Sequence, residues 1–507
     1  MKKSLFSSAA ALLLLCSVVS CGEAAEAPKP EGSVNSEAVT APETEAVTKA
    51  IDSIGPLSEL DFGGQKLTVN ISVNEEEWNT SAVYIMGAEE EVGDEAKDLV
   101  YRRNLEIAEA LNVSVDWITA DEPYTEVLNY IKKPVLAGDS TVDLYINDQY
   151  GLVRCMTAGC LYNVSDIPAE NNYFDFSADG WYTEYMDQLS ILDGRRYFLA
   201  GDYFMDILRG THVMYFNKNL MANLYEGADD LYDVVFSGQW TYDKLIDYVK
   251  DCYRDLNGNG AVDAQDLFGV RAHPAWGNLY LNTTDCRTVS YDKDGNLYID
   301  PSIDRFSALA DRLITIYTSQ GHCELKSDEG TSARIGYFIN GQVLFTIWLK
   351  IADMEADEMR NMDGIGLIPY PKLDESQDTY RTLVHDIAEL GAVPATVNEK
   401  NLPALSAYLQ AMTQYSAQYL MPQYFETALK IKYSQDEQSA QMLDIIRDGI
   451  RCPFEYAYSE YFSSIGYKPL SDSISKKSNV IASTIEKGMK SAEKQLTKLM
   501  DALNALE

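Results

Sequence analysis

The segment Asp255–Asp266 carries oxygen-bearing groups at a spacing that could hold a cation. Its residues follow the pattern D-x-N-x-N-G-x-x-D-x-x-D of an EF-hand-like loop. The expected ligands are side-chain oxygens of Asp255, Asn257, Asn259, Asp263 and Asp266 and the main-chain carbonyl of Ala261, with Gly260 at the sharp turn. Hard oxygen ligands suit Ca²⁺, and sites as weak as ~10⁻⁴–10⁻³ M fill outside cells. We predict a structural calcium site. A solvated Asn-Gly turn is the alternative, because it uses the same residue types.

Motifs of hydrolytic and nucleotide-dependent enzymes are missing from the sequence. It contains no G-x-S-x-G elbow, no H-E-x-x-H motif and no Walker loop, and Gly364-x-Gly366 lacks the third glycine of a dinucleotide fingerprint. The many Asp and Glu residues leave a glycosidase carboxylate pair open, but no spacing marks one. We therefore predict no catalytic residue and no enzymatic activity.

The charge of the chain is strongly acidic. Among 507 residues, 41 Lys and Arg stand against 78 Asp and Glu, which gives a net charge of −37. Nucleic acid is excluded as a partner, because phosphate backbones require dense basic patches. The four His residues leave little material for a His-rich metal centre. With 46% hydrophobic residues, the chain can bury a large core.

The first 20 residues resemble a lipoprotein signal peptide. Lys2 and Lys3 precede an apolar stretch at 9–15 that is too short to span a bilayer. Small residues then lead to Cys21, as in a bacterial lipobox, in which the cysteine is acylated and becomes the new N-terminus. We predict lipidation of Cys21 and a location on the outer face of the bacterial cell membrane. An ordinary secretory signal cut near Ala24 or Ala25 is the alternative.

Residues 21–56 are predicted to be a disordered tether, because they are rich in Glu, Ala, Pro, Ser and Thr and contain no aromatic residue. Six cysteines remain beyond Cys21, and an even count in an exported chain permits disulfides in 15 pairings. Cys155 and Cys160 are close enough in sequence to pair locally. Free buried thiols are the alternative for all six.

Strands and helices alternate in the body of the chain. Leu67, Val69 and Ile71 alternate with polar residues as in a strand, and the patterns that follow predict a helix at 96–111, a strand at 113–117, a helix at 124–137 and a strand at 143–148. This order predicts a parallel sheet with helices on both faces. Ligands bind beyond the carboxyl ends of such strands, where Asn147, Asp148 and Tyr150 lie.

Two further helices are marked by their sequence. Thr241 can cap a helix with Trp240 packed on Leu245, which favours a structural role for that tryptophan. Apolar residues recur at helical spacing from about 475 to 506, which predicts a docked C-terminal helix.

Several stretches in order resemble the bacterial extracellular solute-binding proteins of family 1, the carbohydrate-type receptors of ABC transporters. They are Asp193-Gly194-Arg195-Arg196-Tyr197, Met214-Tyr215-Phe216-Asn217-Lys218, Trp240-Thr241-Tyr242, Phe338-Ile339-Asn340-Gly341-Gln342 and Ile368-Pro369-Tyr370-Pro371. The resemblance covers about residues 57–460. Val343-Leu344-Phe345 departs from it, because these residues are bulkier than the Ala-Met that is usual there.

The resemblance implies an α/β, two-lobed fold of the periplasmic-binding-protein type (type II), with hinge crossovers and a helical C-terminus. We assign 57–205 and 346–412 to lobe 1 and 206–345 and 413–507 to lobe 2, after the signal peptide (1–20) and the tether (21–56). In such a fold the ligand lies between the lobes.

A carbohydrate ligand would need aromatic rings for its apolar faces and polar groups for its hydroxyls. The candidate ligand-binding residues are Asp148, Tyr150, Asp202, Tyr203, Trp276 and Trp348. Core packing is the alternative for both tryptophans.

The resemblance implies a substrate-binding protein that delivers a mono- or oligosaccharide to the transmembrane permease subunits of an ABC importer. Together with the predicted acylation of Cys21, we expect a lipid-anchored monomer. A surface lipoprotein that binds or hydrolyses glycans is the alternative.

Overall fold

The computed structural model describes residues 50–506 except 74–81, 193, 226–229, 327, 387 and 426–436. The chain divides into Met1–Glu43 and Thr44–Glu507, and every described residue belongs to the second unit. The predicted signal peptide and Cys21 lie outside the described residues.

The described chain contains fourteen strands and twenty α-helices, besides a helical turn at 50–54 and short 3-10 and π-helical segments. The strands are β1 Gln65–Ser72, β2 Val113–Ala120, β3 Leu144–Asp148, β4 His212–Asn217, β5 Phe268–Ala272, β6 Val289–Tyr291, β7 Leu297–Ile299, β8 His322–Glu324, β9 Val343–Phe345, β10 Leu349–Lys350, β11 Ile365–Ile368, β12 Thr382–Leu383, β13 Glu389–Ala392 and β14 Ile450–Arg451. The helices are α1 Val83–Met86, α2 Glu95–Ala110, α3 Val127–Leu136, α4 Gln149–Thr157, α5 Thr183–Ser190, α6 Asp206–Arg209, α7 Lys218–Leu224, α8 Leu231–Phe236, α9 Tyr242–Val249, α10 Gly277–Asn282, α11 Ile303–Thr318, α12 Thr331–Ile339, α13 Asp357–Asn361, α14 Leu402–Tyr415, α15 Met421–Tyr424, α16 Glu437–Asp448, α17 Phe454–Ala457, α18 Ser459–Phe462, α19 Tyr467–Lys476 and α20 Ile481–Asn504.

The first sheet has the strand order β13-β3-β1-β2. Strand β1 runs parallel to β2 and β3, and the later strand β13 joins antiparallel to β3. Leu67, Val69 and Ile71 are buried, as their alternation predicts. Helix α2 begins after Asp94, whose side chain accepts a hydrogen bond from the Lys97 N–H. The predicted βαβαβ unit is confirmed.

The second sheet has the order β10-β4-β9-β5-β8, with β11 also paired to β4. Strands β5, β8 and β9 are parallel, and β4 is antiparallel to β9, β10 and β11. Trp240, which precedes α9, is fully buried and donates from Nε1 to the Pro369 carbonyl at 2.9 Å. Its predicted structural role is confirmed.

Two chain segments join the sheets side by side. The segment 206–212 leads from the first sheet into β4, and 383–389 leads back to β13. They are hydrogen-bonded to each other, since the His385 N–H donates to the Gly210 carbonyl at 2.9 Å. The Ile351 N–H also donates to the Thr211 carbonyl at 2.9 Å, so the residue that follows β10 is hydrogen-bonded to the first of these segments. These segments are the hinge crossovers that the resemblance implies.

The strand pairing differs from the predicted lobe boundaries in one place. Residues 346–412 were assigned to lobe 1, but Ile365–Ile368 pairs with β4 in the second sheet. Gly366 permits this pairing, because a Cβ there would lie 2.0 Å from the Phe216 ring. The return to the first sheet therefore comes at 383–389. The remaining boundaries stay a prediction.

The ends of the described unit are helical. Residues 50–54 form a helical turn, with Ala50 and Ile54 buried in the core, so these residues do not belong to a tether that was predicted to reach 56. The apolar pair at i and i+4 gives this short stretch a buried face. The C-terminal helix α20 packs through Ile481, Ile485 and Leu503, which confirms the docked helix.

None of the described helices is long and apolar enough to cross a membrane. All six described cysteines are free thiols, Cys155 and Cys160 included, and five of them are buried. The sequence left disulfides and free thiols open for these cysteines, and the structure has free thiols.

Candidate functional site

The carboxyl ends of β1, β2 and β3 lie at one edge of the first sheet, because the three strands are parallel. Asp148 ends β3 and Tyr150 follows it. The Tyr150 ring makes an edge contact with the ring of Tyr124, which lies beyond β2, at 5.6 Å between centroids. Strand β13 begins at this edge, where Glu389 pairs with Asp148. The edge thus presents two tyrosines beside carboxylates.

The Asp148 side chain also has a local structural role. Its Oδ1 accepts a hydrogen bond from the Gly151 N–H at 2.7 Å and so caps helix α4. The neighbouring Asn147 uses its own Oδ1 to accept from the Asp148 N–H at 2.9 Å. Both side chains are buried, so the turn chemistry holds them in place at the end of the strand. A role of Asp148 in ligand binding stays a prediction.

The matching edge of the second sheet carries the two predicted tryptophans. Trp276 follows β5 and Trp348 follows β9, and the parallel pairing of these strands places both carboxyl ends at one edge. The two indole rings stack with centroids 5.4 Å apart and planes 12° apart. Both residues are partly exposed. The Arg334 guanidinium lies 5.6 Å from the centre of the Trp276 ring.

Trp348 has an unusual backbone conformation. Its φ of +63° lies in the left-handed region, which costs a residue with a Cβ ~1–3 kcal/mol. The Trp348 N–H donates to the Tyr370 hydroxyl at 2.9 Å, and the rings of His212 and His385 lie 4.7 and 5.7 Å from the indole. Neighbouring groups therefore hold Trp348 in a strained backbone conformation, and such strain is common at binding sites.

The two edges meet at a pair of histidines in the crossovers. His212 begins β4 and His385 lies in the returning segment, and their rings are 5.3 Å apart. Burial lowers the pKa of His212 well below its usual value, so its imidazole is neutral near pH 7. His385 Nδ1 lies 3.2 Å from Asp386 Oδ1, and the Tyr150 N–H donates to the Asp386 carbonyl at 3.2 Å. Tyr150 and Trp348 are thus linked through residues 385 and 386.

Two predicted ligand residues, Asp202 and Tyr203, form hydrogen bonds within the protein. Asp202 is buried, accepts from the Tyr182 hydroxyl at 3.0 Å and forms an ion pair with Arg447 at 2.9 Å. Burial raises the pKa of Asp202 to about 6, although Arg447 acts in the opposite direction. Tyr203 is also buried, and its hydroxyl donates to the Leu199 carbonyl at 2.6 Å and accepts from the Gly391 N–H. Arg447 and Gly391 come from distant parts of the sequence, so these two contacts could not be predicted from it. Ligand binding by Asp202 and Tyr203 stays a prediction.

The predicted calcium loop has the backbone that its sequence requires. Gly258 and Gly260 have φ of +69° and +72°, and their N–H groups donate to the two carboxylate oxygens of Asp255. Asp266, at the last position, is buried and accepts from the Leu256 and Asp263 N–H groups.

The surroundings of this loop offer few further anionic ligands. Within the described chain, no group of three or more His, Cys, Asp or Glu is arranged to hold a metal ion. The carboxylates of Asp255, Asp263 and Asp266 all accept hydrogen bonds from groups of the loop itself. Calcium binding stays a prediction.

Sequence reasoning missed three residues of the candidate site. His212, His385 and Arg334 each lie in unremarkable sequence and belong to β4, a crossover and α12. The location of His212 and His385 at the two crossovers is the one signal that could have indicated these two residues. Using that signal would have required knowing the lobe boundaries. Arg334 shows no signal in the sequence.

Comparison with solved structures identifies the fold. The galacto-N-biose/lacto-N-biose I-binding protein of an ABC transporter from Bifidobacterium longum superposes with a TM-score of 0.55 at 12% identity, over 86% of this chain and 98% of that one. This chain has the two-lobed fold of ABC transporter solute-binding proteins. The fold predicted from the resemblance is thereby confirmed.

Other solved structures agree with this assignment. A sugar transporter from Rhizobium etli in an open conformation matches with a TM-score of 0.53 at 12% identity, over 85% of this chain and 99% of that one. An uncharacterized protein from Listeria monocytogenes matches with a TM-score of 0.54 at 11% identity, over 87% of this chain and 100% of that one. No protein-family model matches the chain, and no curated protein is significantly similar to it. At these identities the comparisons establish the fold only.

Proposed function

We propose that the protein binds a carbohydrate between its two sheet edges and delivers it, unchanged, to the permease of an ABC importer. The observation that carries the proposal is the convergence of Tyr124 and Tyr150 from one edge with Trp276 and Trp348 from the other on the crossover residues 385 and 386. Solved proteins of this fold include binding proteins for lacto-N-biose, which supports a sugar as the ligand.

The chemistry of the two edges suits a sugar. Aromatic rings offer flat apolar surfaces to the C–H faces of a pyranose, and the carboxylates and imidazoles offer hydrogen bonds to its hydroxyls. Binding to both edges at once stabilises the closed arrangement of the lobes, because only that form makes both sets of contacts. The permease would then recognise the closed form.

A thermal-shift panel of mono- and oligosaccharides tests sugar binding, followed by calorimetry on each compound that raises the melting temperature. We expect at least one sugar to bind, and Trp276→Ala to weaken it. Tyr298→Ala is the matched control, since Tyr298 is 46% exposed on the β6–β7 hairpin and belongs to neither edge. Absence of binding by every sugar in the panel would contradict the proposal.

A transport role requires that the sugar is released intact. We expect chromatography to recover the bound sugar unaltered after prolonged incubation with the protein. Cleavage of the sugar would favour the alternative of a glycan-hydrolysing lipoprotein. Binding without a change in lobe arrangement would favour a glycan-binding surface protein.

We also propose that Cys21 anchors the protein to the membrane. Acyl chains contribute ~0.8 kcal/mol per buried CH₂, so a multiply acylated cysteine holds a protein at the membrane surface. Detergent phase partitioning of the full chain tests this: the wild type should enter the detergent phase and Cys21→Ala should stay in the aqueous phase.

The loop Asp255–Asp266 is proposed to hold calcium in a structural role. Its Asn and Asp spacing and its two left-handed glycines support this. We expect calcium to raise the melting temperature of the wild type and not of Asp255→Ala. Magnesium serves as the control ion, because it prefers a rigid six-oxygen shell with several waters. An equal shift in both proteins would contradict a site in this loop.

A further inference from the structure

Two buried arginines at the second sheet edge have no carboxylate partner. Arg271 and Arg334 are 4% and 8% exposed, and among the described residues neither lies within ion-pair distance of an Asp or Glu carboxylate. Arg271 donates to the carbonyls of Ala264 and Asp266, and Arg334 donates to the Glu329 carbonyl and the Thr331 hydroxyl. The Arg334 Nε is buried without a hydrogen-bond partner in the described chain.

This arrangement is unusual in a chain with a net charge of −37. Glu329 attracts Arg271 and Asp353 attracts Arg334, but both from beyond ion-pair distance. Glu329 accepts hydrogen bonds from the Tyr337 hydroxyl and the Lys326 N–H, and Asp353 accepts one from the Lys350 N–H. A buried guanidinium without an anion is unfavourable, because it loses hydration and gains no opposite charge. Burial accordingly lowers the pKa of both arginines.

In two other buried arginines, the guanidinium group is compensated by an ion pair or by a complete set of hydrogen bonds. Arg209 is bound by the Glu355 carboxylate at 2.9 and 3.1 Å. Arg103 has no acid, but its Nε, Nη1 and Nη2 all donate to neutral acceptors such as the Tyr203 and Ile85 carbonyls. Arg334 differs from both, since one of its donors is unused.

Arg271 and Arg334 line the same crevice, together with Tyr337 and Thr346. The crevice has a volume of about 10 Å³, which is room for one water-sized group. It lies where β9 ends, and the residues after Thr346 lead directly to Trp348. Arg334 also lies 5.6 Å from the Trp276 ring. One oxygen atom of a charged substituent could therefore enter the crevice while the rest of the ligand contacts the tryptophans.

We infer that the ligand is an acidic sugar, and that one oxygen of its anionic group, a carboxylate or a sulfate ester, enters this crevice and binds to Arg334 and Arg271. The inference rests on the proposed function, because it assigns the substrate class of the same site. Guanidinium groups bind carboxylate and sulfate oxygens through charge-assisted hydrogen bonds, and an incoming anion would supply the missing partner of Nε. A neutral sugar would leave both guanidinium groups without an ion pair.

The decisive experiment compares sugars that differ only in charge. Calorimetry would measure trigalacturonate against its fully methyl-esterified form, and lactose 6′-sulfate against lactose. We expect an acidic member to bind at least tenfold more tightly than its neutral counterpart. Arg334→Met should reduce this ratio at least tenfold, and Arg287→Gln, which removes the same charge from an exposed ion pair, should leave it unchanged.

The outcomes distinguish the inference from the proposed function. Equal affinity for the acidic and neutral members, or an unchanged ratio in Arg334→Met, would overturn the acidic ligand and leave sugar binding intact. Failure of every sugar in the pairs and in the wider panel would overturn both.

A measurement without ligand separates a binding role from a structural one. If Arg334 is held for a ligand, Arg334→Met removes a buried charge that has no ion pair and does not lower the melting temperature of the free protein. Arg209→Met, which leaves the Glu355 carboxylate unpaired, should lower it. A decrease for Arg334→Met as large as that for Arg209→Met would show that Arg334 stabilises the fold and would overturn the inference.

Discussion

At the scale of single residues, the candidate site depends on side chains held in unfavourable states. Trp348 has a left-handed backbone, and His212 is buried with a depressed pKa. Their neighbours provide the compensation, since the Tyr370 hydroxyl fixes the Trp348 N–H and the two imidazoles pack against the indole. Such residues are maintained by the surrounding structure and not by their own preferences.

Trp348→Ala is expected to weaken binding of the cognate sugar more than tenfold. The substitution removes one of the two stacked indole rings, so Trp276 also loses the neighbour that holds its ring in place. Calorimetry with a sugar from the panel measures the affinity, and circular dichroism confirms that the variant is folded. The fluorescence of the wild type should shift on sugar binding. An unchanged affinity in the variant would refute the role of this residue.

His322 makes the stability of the fold sensitive to acid. Burial lowers its pKa to about 4, from an ordinary value near 6.5 in the unfolded chain. Between these two values the unfolded chain takes up a proton that the folded protein does not, so stability falls as the pH falls from about 6.5 to 4. Urea unfolding at several pH values should show a shallower loss for His322→Gln than for the wild type.

Asp202 acts in the opposite direction and serves as the control for this pH dependence. Its pKa of about 6 in the folded protein lies above its unfolded value, so its contribution to stability is lost as the pH rises through about 6. Asp202→Asn should therefore remove a slope of opposite sign. Identical pH profiles for His322→Gln and the wild type would contradict the assignment to His322.

At the scale of elements, the crossovers combine hydrogen-bonded strands with buried charge. Helix α6 carries Arg209, which forms a two-pronged ion pair with Glu355 beyond β10. Glu355 also accepts from the Tyr424 hydroxyl at 2.7 Å, so three separate segments share this carboxylate. Opposite charge outweighs burial and lowers the pKa of Glu355.

Glu355→Gln is expected to destabilise the protein by about 3–5 kcal/mol, because it leaves the Arg209 guanidinium buried without its anion. Urea denaturation measures this change. Asp300→Asn is the matched control, since Asp300 pairs with Arg287 at 3.1 Å in an exposed position and should cost less than about 1 kcal/mol. A loss from Glu355→Gln no larger than that of the control would show that the pair contributes little.

At the scale of the whole molecule, two sheets joined by paired crossovers suit a hinged protein. Two short segments, 206–212 and 383–389, connect the sheets beside β10, and both adjoin the aromatic edges. A ligand that contacts both edges should therefore change the angle between the sheets through small backbone rotations in these segments.

Small-angle scattering tests this hinge. We expect a sugar that raises the melting temperature to decrease the radius of gyration at saturating concentration, and we expect no decrease in Trp276→Ala at the same sugar concentration. A radius of gyration that stays constant in the wild type, with binding confirmed by calorimetry, would contradict lobe closure.

Local features of the fold were predictable because they depend on neighbouring residues. Alternation at Leu67, Val69 and Ile71 predicted β1, and Thr241 predicted the start of α9, where its hydroxyl indeed accepts from the Lys244 N–H. Lobe boundaries were less accessible, since strand β11 is assigned to its sheet by a partner about 150 residues earlier in the chain. The predicted tether extended too far toward the C-terminus, to residue 56. Ala50 and Ile54 are buried against the core, and this packing cannot be read from their local sequence.

The sequence by itself determined the alternation of strands and helices, the acidic charge, the loop Asp255–Asp266 and the aromatic residues after β5 and β9, because these follow from residue type and spacing. Only the tertiary structure decided that His212 meets His385, that Asp202 is paired with Arg447, and that Arg271 and Arg334 share a crevice without an acid. Burial and pairing are properties of contacts between distant segments, and the energies of charged groups depend on those contacts more than on the residues themselves.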